Sequence, residues 1–431
     1  MSSPSTIARG SIPGAHNINR VVLDNGITVL VYETFAAQSV VISGSLRVGS
    51  LYETPAQNGL AALTASAIMR GAQKRDFNAI NEALEDIGAD LDLSANVNTT
   101  SFSGKALAED LPTLIDVLAD VTRNPIFPIP QVERLRGEIL TGLQYRSQDT
   151  RYRANRAFNE TLYPADHPYH YSVRGTVESV SQITPVDLMA FHDQYYGPDG
   201  MIVVIVGAVK AADAVEIVRA SFEDWHNPQQ PAPSALPDVP TVTAPRRSVV
   251  ALPGKTQSDI VLGALGPSRF SPDYQAASLV NSVLGQFGMM GRIGKSVREE
   301  LGLAYYAYSQ IEGGFGHGPW SISAGVNPAN VELALEKIQD ELRRLTSEAV
   351  SADDLADNQA YYTGHLPLQL ESNEGIASSL RNIETYSLGL DYLVNYRDTI
   401  YGLTRADLLN AAKHYLNPDA LVIGIAGPEM R

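Results

Sequence analysis

The chain has 431 residues, of which 44% are hydrophobic and 19% charged, and its formal net charge is −16. This length calls for two domains, and the composition is that of a globular protein. With no cysteine, disulfides, thiolate metal ligands and thiol nucleophiles are excluded, and the acidity excludes a protein that tracks nucleic-acid phosphates or an anionic membrane surface.

The first twenty residues, MSSPSTIARGSIPGAHNINR, have no apolar h-region, and no apolar run approaches the length of a bilayer crossing. A soluble cytoplasmic protein with no membrane partner is therefore expected. After an Asn-Gly turn, Ile27-Thr28-Val29-Leu30-Val31-Tyr32 predicts a strand, and Val40–Val48 predicts a second. Residues 59–72, GLAALTASAIMRGA, predict a helix of small residues. Before Arg70 its only side-chain heteroatoms lie in Thr64, Ser66 and Met69. Leu111, Leu114, Ile115, Leu118 and Val121 then mark one buried face of an amphipathic helix. Residues 183–207, ITPVDLMAFHDQYYGPDGMIVVIVG, predict a Thr-capped helix, a Pro-Asp turn and an apolar strand ended by Gly. The Pro-rich stretch from His226 to Ser248 suits an extended linker.

Beyond it the pattern recurs. Strands are predicted near Ser248–Leu252 and Asp259–Leu265. A long helix with Val331, Leu335, Ile338, Leu342 and Leu345 on one face opens at Asn327-Pro328. Residues 403–427, LTRADLLNAAKHYLNPDALVIGIAG, repeat residues 183–207 at an offset of 220 without a gap. Thr184/Thr404, Asp187/Asp407, Leu188/Leu408, Tyr195/Tyr415, Pro198/Pro418, Asp199/Asp419, Ile205/Ile425 and Gly207/Gly427 are identical. Two homologous α+β domains follow, residues 1–225 and 248–431, joined by a linker at 226–247. Each is expected to hold a mostly antiparallel sheet packed with helices.

Candidate chemistry is sparse. No two of the eight histidines form a helical H-x-x-x-H or H-E-x-x-H pair. His167 and His170 are separated by Pro168, which suits a polar loop with aromatic packing better than a ligand pair. GRIGKS at 291–296 lacks the earlier glycine of a phosphate loop: position 289 is Met, and Gly288 is one place too far. No G-x-S-x-G elbow is present. Residues 296–309, SVREELGLAYYAYS, are richer. Arg298, Glu299 and Glu300 end a predicted helix, Gly302 suits a left-handed cap, and Leu303–Tyr308 predicts a strand. That strand carries Tyr306 and Tyr308 on one face and Tyr305 on the other. A guanidinium and a phenol flank this corner, and two such donors can hold a carbonyl or an oxyanion. The same residues also fit an Arg paired with a local carboxylate and a Tyr packed at a sheet edge.

These pieces together resemble the pitrilysin/insulinase family of zinc peptidases, in its two-domain bacterial type related to mitochondrial processing peptidase. The resemblance is carried by LDNGITVLV (Leu23–Val31), HPYHYSVRGTVESVSQIT (His167–Thr184), YYGPDGMIVVIVG (Tyr195–Gly207) and the GRI and LGLAY elements of the corner. It implies a fold of repeated α+β domains. In catalytic members a helix reads G-x-A-H-x-x-E-H, with two zinc-binding histidines and a general base, and a Glu further along supplies a third ligand. Aligned through Gly59, Ala61 and Arg70-Gly71, the histidine positions fall on Ala62 and Ser66, the base on Ala65, and the third ligand on Gly142 or Leu143. All are lost, so no zinc or other cofactor is expected in this chain. The family's Arg-Tyr pair is kept as Arg298 and Tyr305. The resemblance then implies the non-catalytic, substrate-contacting subunit of a heterodimeric metallopeptidase. A homologous sister subunit would carry the zinc, and peptides would be the substrate. The alternative is an inert scaffold of the same fold, or a homodimer.

Overall fold

The computed structural model describes residues 12–286 and 291–429. The first eleven residues, within the stretch read for a leader, and Gly288 and Met289, weighed for a phosphate loop, lie outside the described residues. Eleven strands among the described residues form two mixed sheets. The first contains β1 (Ile18–Val22), β2 (Thr28–Glu33), β3 (Ser39–Leu46), β4 (Asp90–Ala95), β5 (Thr100–Leu107) and β6 (Ile202–Gly207), in the order β1-β2-β6-β3-β5-β4. The second contains β7 (Arg246–Ala251), β8 (Ser258–Leu265), β9 (Ala304–Ile311), β10 (Pro319–Val326) and β11 (Val422–Gly427), in the order β7-β11-β8-β10-β9. One neighbour pair in each sheet is parallel, β2 with β6 and β7 with β11, and the others are antiparallel. Setting β1 aside, the two orders are the same.

The repeat has a physical basis in these elements. Thr184 caps the helix Pro185–Tyr195 and Thr404 caps the helix Arg405–Tyr415, each through a capping box closed by the Asp three residues on. The Asp187 and Asp407 carboxylates each accept the backbone N–H of the capping Thr at 2.8 Å. The strands that follow, β6 and β11, take the same interior place in their sheets. Both are almost wholly buried, as strands covered on both faces must be, and their continuous apolar sequences follow from that.

The chain divides into two compact units, each drawn from separated stretches of sequence. The first comprises residues 1–141, 172–235 and 365–396, and the second comprises 142–171, 236–364 and 397–431. The Pro-rich segment is shared between them at 235/236, and of the other four breaks those at 141/142, 364/365 and 396/397 fall inside helices. In the first unit the helix Asn373–Thr385 lies on β3 and β6. There Ile376, Ala377, Leu380 and Ile383 form one core with Leu30, Val41, Val204 and Val206. In the second unit the helix Thr150–Leu162 lies on β7, β8 and β11. There Ala154, Phe158 and Leu162 pack on Val261, Val422 and Ala426. Gly424 permits this approach, because a Cβ on it would stand 2.4 Å from the Ala154 carbonyl oxygen. The opposite face of β8, β10 and β11 joins the helices Tyr274–Asn281, Val331–Ser347 and Arg405–Tyr415 in a larger core around Trp320.

Candidate functional site

The small-residue helix forms at Leu60–Ala67 in the first unit. Gly59 opens it in a left-handed conformation, φ 99°, and carries no side-chain acceptor for the free N–H groups of the first turn. Glu53 supplies that acceptor from outside the helix. Its carboxyl accepts the Gly59 N–H at 3.0 Å, the Ala61 N–H at 2.5 Å and the Asn58 side-chain amide at 3.3 Å. Burial pushes this carboxyl up to about 7, against the pull of the three donors. Sequence reasoning missed Glu53, and the one available signal was a helix start with no Ser, Thr, Asp or Asn to cap it.

Ala62 and Ser66 share one half-buried face of this helix, while Ala65 is fully buried. Zinc takes imidazole nitrogen, thiolate sulfur or carboxylate oxygen. Two methyl groups offer none of these, and the Ser66 hydroxyl donates to the Ala62 carbonyl one turn earlier at 3.0 Å. On the helix Ile129–Ser147, Gly142 has no side chain and Leu143 is buried. Glu138, one turn before Gly142, is engaged by Arg70 and Arg134, each at 3.3 Å. No group of three or more His, Asp or Glu among the described residues is placed to hold a metal ion. The donor set here does not fit zinc.

The Arg-Tyr corner lies within the second unit. Its helix, Gly294–Glu300, is π-helical, where the spacing predicted an ordinary helix end. Single π turns of this kind are rare and concentrate at functional sites. The turn closes with the Gly302 N–H donating to the Arg298 carbonyl at 3.1 Å and the Leu303 N–H to the Val297 carbonyl at 3.0 Å. The Gly302 bond is that of an αL cap, with Gly302 at φ 61° in the left-handed position, and the Leu303 bond closes a wider loop over it. Val297 and Leu303, the two side chains it brings together, are both part of the core. The helix end is thus pinned beneath Arg298, and the strand that leaves it is β9, the edge of its sheet.

The register of β9 is interrupted at Tyr305. Tyr306 pairs with Gly325 and Ala304 with Val326, so Tyr305 is the extra residue of a bulge. Its side chain is 80% exposed, and Tyr306 and Tyr308 lie together with ring centroids 5.9 Å apart. Among the described residues, neither the Arg298 guanidinium nor the Tyr305 phenol has an ion-pair or hydrogen-bond partner. His167 and His170 sit in aromatic packing, His167 stacked on Tyr163 at 4.9 Å and His170 against Tyr171 at 4.8 Å.

Two family models match the chain, the insulinase (peptidase family M16) model over residues 28–173 and the peptidase M16 inactive-domain model over residues 182–362. The chain belongs to the M16 family. An uncharacterized zinc protease of Streptomyces coelicolor is 28% identical over 383 residues, 86% of this chain and 82% of the relative. Subunit 1 of the mitochondrial cytochrome b-c1 complex of Rattus norvegicus is 26% identical over 62% of this chain and 55% of its own length. Among solved structures, a peptidase M16 inactive domain from Pseudomonas fluorescens superposes with a TM-score of 0.88 at 26% identity, covering 96% of this chain and 98% of that one. A protease from Helicobacter pylori superposes at 0.89 with 20% identity, over 97% and 100% of the two chains, and shares the fold. The M16 inactive-domain match spans β8, the corner and β9. No helix among the described residues is long and apolar enough to cross a membrane.

Proposed function

We propose that this chain is the zinc-free, substrate-contacting subunit of a heterodimeric M16 peptidase. The observation that carries the reading is an unengaged Arg298 and Tyr305 beside a bulged edge strand, in a chain with Ala62 and Ser66 at the metal-ligand positions and Ala65 at the position of the base. A homologous sister subunit would bring the zinc, which supplies an activated water. Arg298 would hold a carbonyl of the bound peptide. Tyr305 would donate its phenolic proton in a hydrogen bond to the oxyanion that develops on the scissile carbonyl. Neither group needs to be freed from a competing partner first.

The test is turnover of a fluorogenic peptide by this chain reconstituted with a zinc-motif M16 subunit. Loss of one oxyanion donor costs about a hundredfold to a thousandfold in kcat, so Tyr305→Phe should fall in that range. Arg298→Ala should also reduce turnover strongly, with assembly unchanged by size-exclusion chromatography. Normal turnover in both variants overturns the reading. A second reading, an inert scaffold, draws on the similarity to a subunit of the cytochrome b-c1 complex. It expects a stable assembly whose peptidase activity is indifferent to both substitutions.

A further inference from the structure

Next to Tyr305 lies a polar cluster, built around the buried Asp259 with Tyr306 half-buried and Arg151 exposed, that the substrate contact does not use. Tyr306 donates its hydroxyl proton to the Asp259 carboxyl in a hydrogen bond. Asp259 is buried on β8, and its two oxygens also accept from the Gln257 amide at 3.1 and 3.3 Å. Arg151 donates from Nε to the same Tyr306 hydroxyl at 3.1 Å and stands over the Tyr306 ring at 4.0 Å from its centroid. Gly325 on β10 makes room for that ring, since a Cβ there would meet Tyr306 at 2.5 Å and Gln257 at 2.7 Å. Burial, and then the bond to Asp259, hold the Tyr306 phenol well above its ordinary range, so it remains a donor to the carboxyl.

We propose that Arg151, Tyr306 and Asp259 form a clamp that holds the β9 bulge in the conformation presenting Tyr305, which makes them positioning residues for the substrate contact. The inference rests on the role given to Tyr305 above. A bulge on an edge strand has a partner strand on one side only, so its backbone is free to slip unless a neighbouring side chain is fixed. Tyr306 is the residue immediately after the bulge, and it is fixed from three directions: Asp259 across the sheet, Gly325 beneath the ring and Arg151 above it. Arg151 comes from the helix Thr150–Leu162, encoded more than a hundred residues before the corner. A stretch of the first half of the sequence therefore controls the geometry of a contact in the second.

Fluorotyrosine placed at position 305 of the full chain reports the bulge by fluorine NMR, and amide hydrogen exchange at residues 304–306 reports its backbone. Tyr306→Phe keeps the ring and removes both hydroxyl hydrogen bonds. Arg151→Met removes the charge and the donor while keeping the length. Both should move or broaden the Tyr305 resonance and raise local exchange about tenfold, the scale of one lost hydrogen bond. Arg151→Lys, which restores a cation above the ring, should recover part of the effect. A fluorotyrosine at position 415, elsewhere in the same unit, should stay unchanged. An unmoved Tyr305 resonance with unchanged exchange in both variants overturns the clamp, and so do equal changes at position 415, which mark general loosening. With the zinc-motif partner present, the clamp variants should lower kcat as Tyr305→Phe does while leaving KM in place. If Tyr305→Phe leaves turnover unchanged while the resonance still moves with Tyr306→Phe, the functional reading fails and the clamp stands.

Discussion

Glu53 and His192 show how single residues of the first unit set its response to pH. Burial raises the Glu53 carboxyl to about 7 from its ordinary 4.5. Its contribution to stability is therefore present below pH 4.5 and lost as pH rises through 7, by about 3 kcal/mol at 1.36 kcal/mol per unit. His192 is buried in the helix Pro185–Tyr195, with Nε2 against the Thr122 carbonyl at 2.9 Å and Nδ1 3.6 Å from the Asp193 carboxylate. Burial lowers its pKa below the ordinary 6.5. Its contribution is present above 6.5 and lost as pH falls. Just below pH 6.5, above the ordinary carboxyl value and below the ordinary imidazole value, the two slopes oppose each other. Glu53→Gln should leave the His192 slope, so that stability in urea rises with pH across this window. His192→Gln should leave the Glu53 slope, so that stability falls with pH. Parallel pH profiles for the two variants would show that neither group governs this range.

At the scale of elements, the two capping boxes are a matched pair, with the same side chains, the same Asp–Thr N–H distance of 2.8 Å and a Thr–Asp N–H distance of 3.3 and 3.2 Å. Thr184→Ala and Thr404→Ala should each cost about 1 kcal/mol, and the two costs should agree within about half of that, read from urea midpoints at unchanged slope. These elements were legible in the sequence because local rules fix them: the Thr-x-x-Asp start, the Pro-Asp turn and the apolar central strand. The Arg298–Tyr305 corner was legible for the same reason, since Gly302 marks the cap and the tyrosines mark the strand. The π turn and the bulge at Tyr305 were not. Both are local departures from a regular period, which no local sequence pattern encodes. Arg151 and Asp259 were hidden for a stronger reason. Each looks like an ordinary polar residue until the sheet brings β8, β9 and the helix Thr150–Leu162 together.

The two units share one strand order, and in each the segment between the second and third strands of the repeat carries the site residues. In the first unit that segment, between β3 and β4, holds Ala62, Ala65 and Ser66. In the second, between β8 and β9, it holds Arg298 and leads into Tyr305. One topological slot thus hosts the positions proposed for a lost zinc site in one unit and the proposed donor pair in the other. Each unit also depends on a helix encoded far from the rest of it, and this bears on whether the sequence halves can fold apart. Residues 1–225 alone lack the helix Asn373–Thr385, which would bare Leu30, Val41, Val204 and Val206, all fully or almost fully buried. Residues 248–431 alone lack the helix Thr150–Leu162, which would bare Val261, Val422 and Ala426. Burial of one aliphatic side chain is worth about 1.5–3 kcal/mol, so each loss removes roughly 5–10 kcal/mol, as much as the whole stability of a typical domain. Each half expressed alone should be recovered as an aggregate, or as a soluble species that binds the dye ANS and lacks a cooperative melt. A chain split between residues 235 and 236 and expressed as two pieces together should assemble, because each piece then carries the helix its counterpart needs. Cooperative melting of either half alone, without dye binding, would show that the exchanged helices are dispensable to the units they complete.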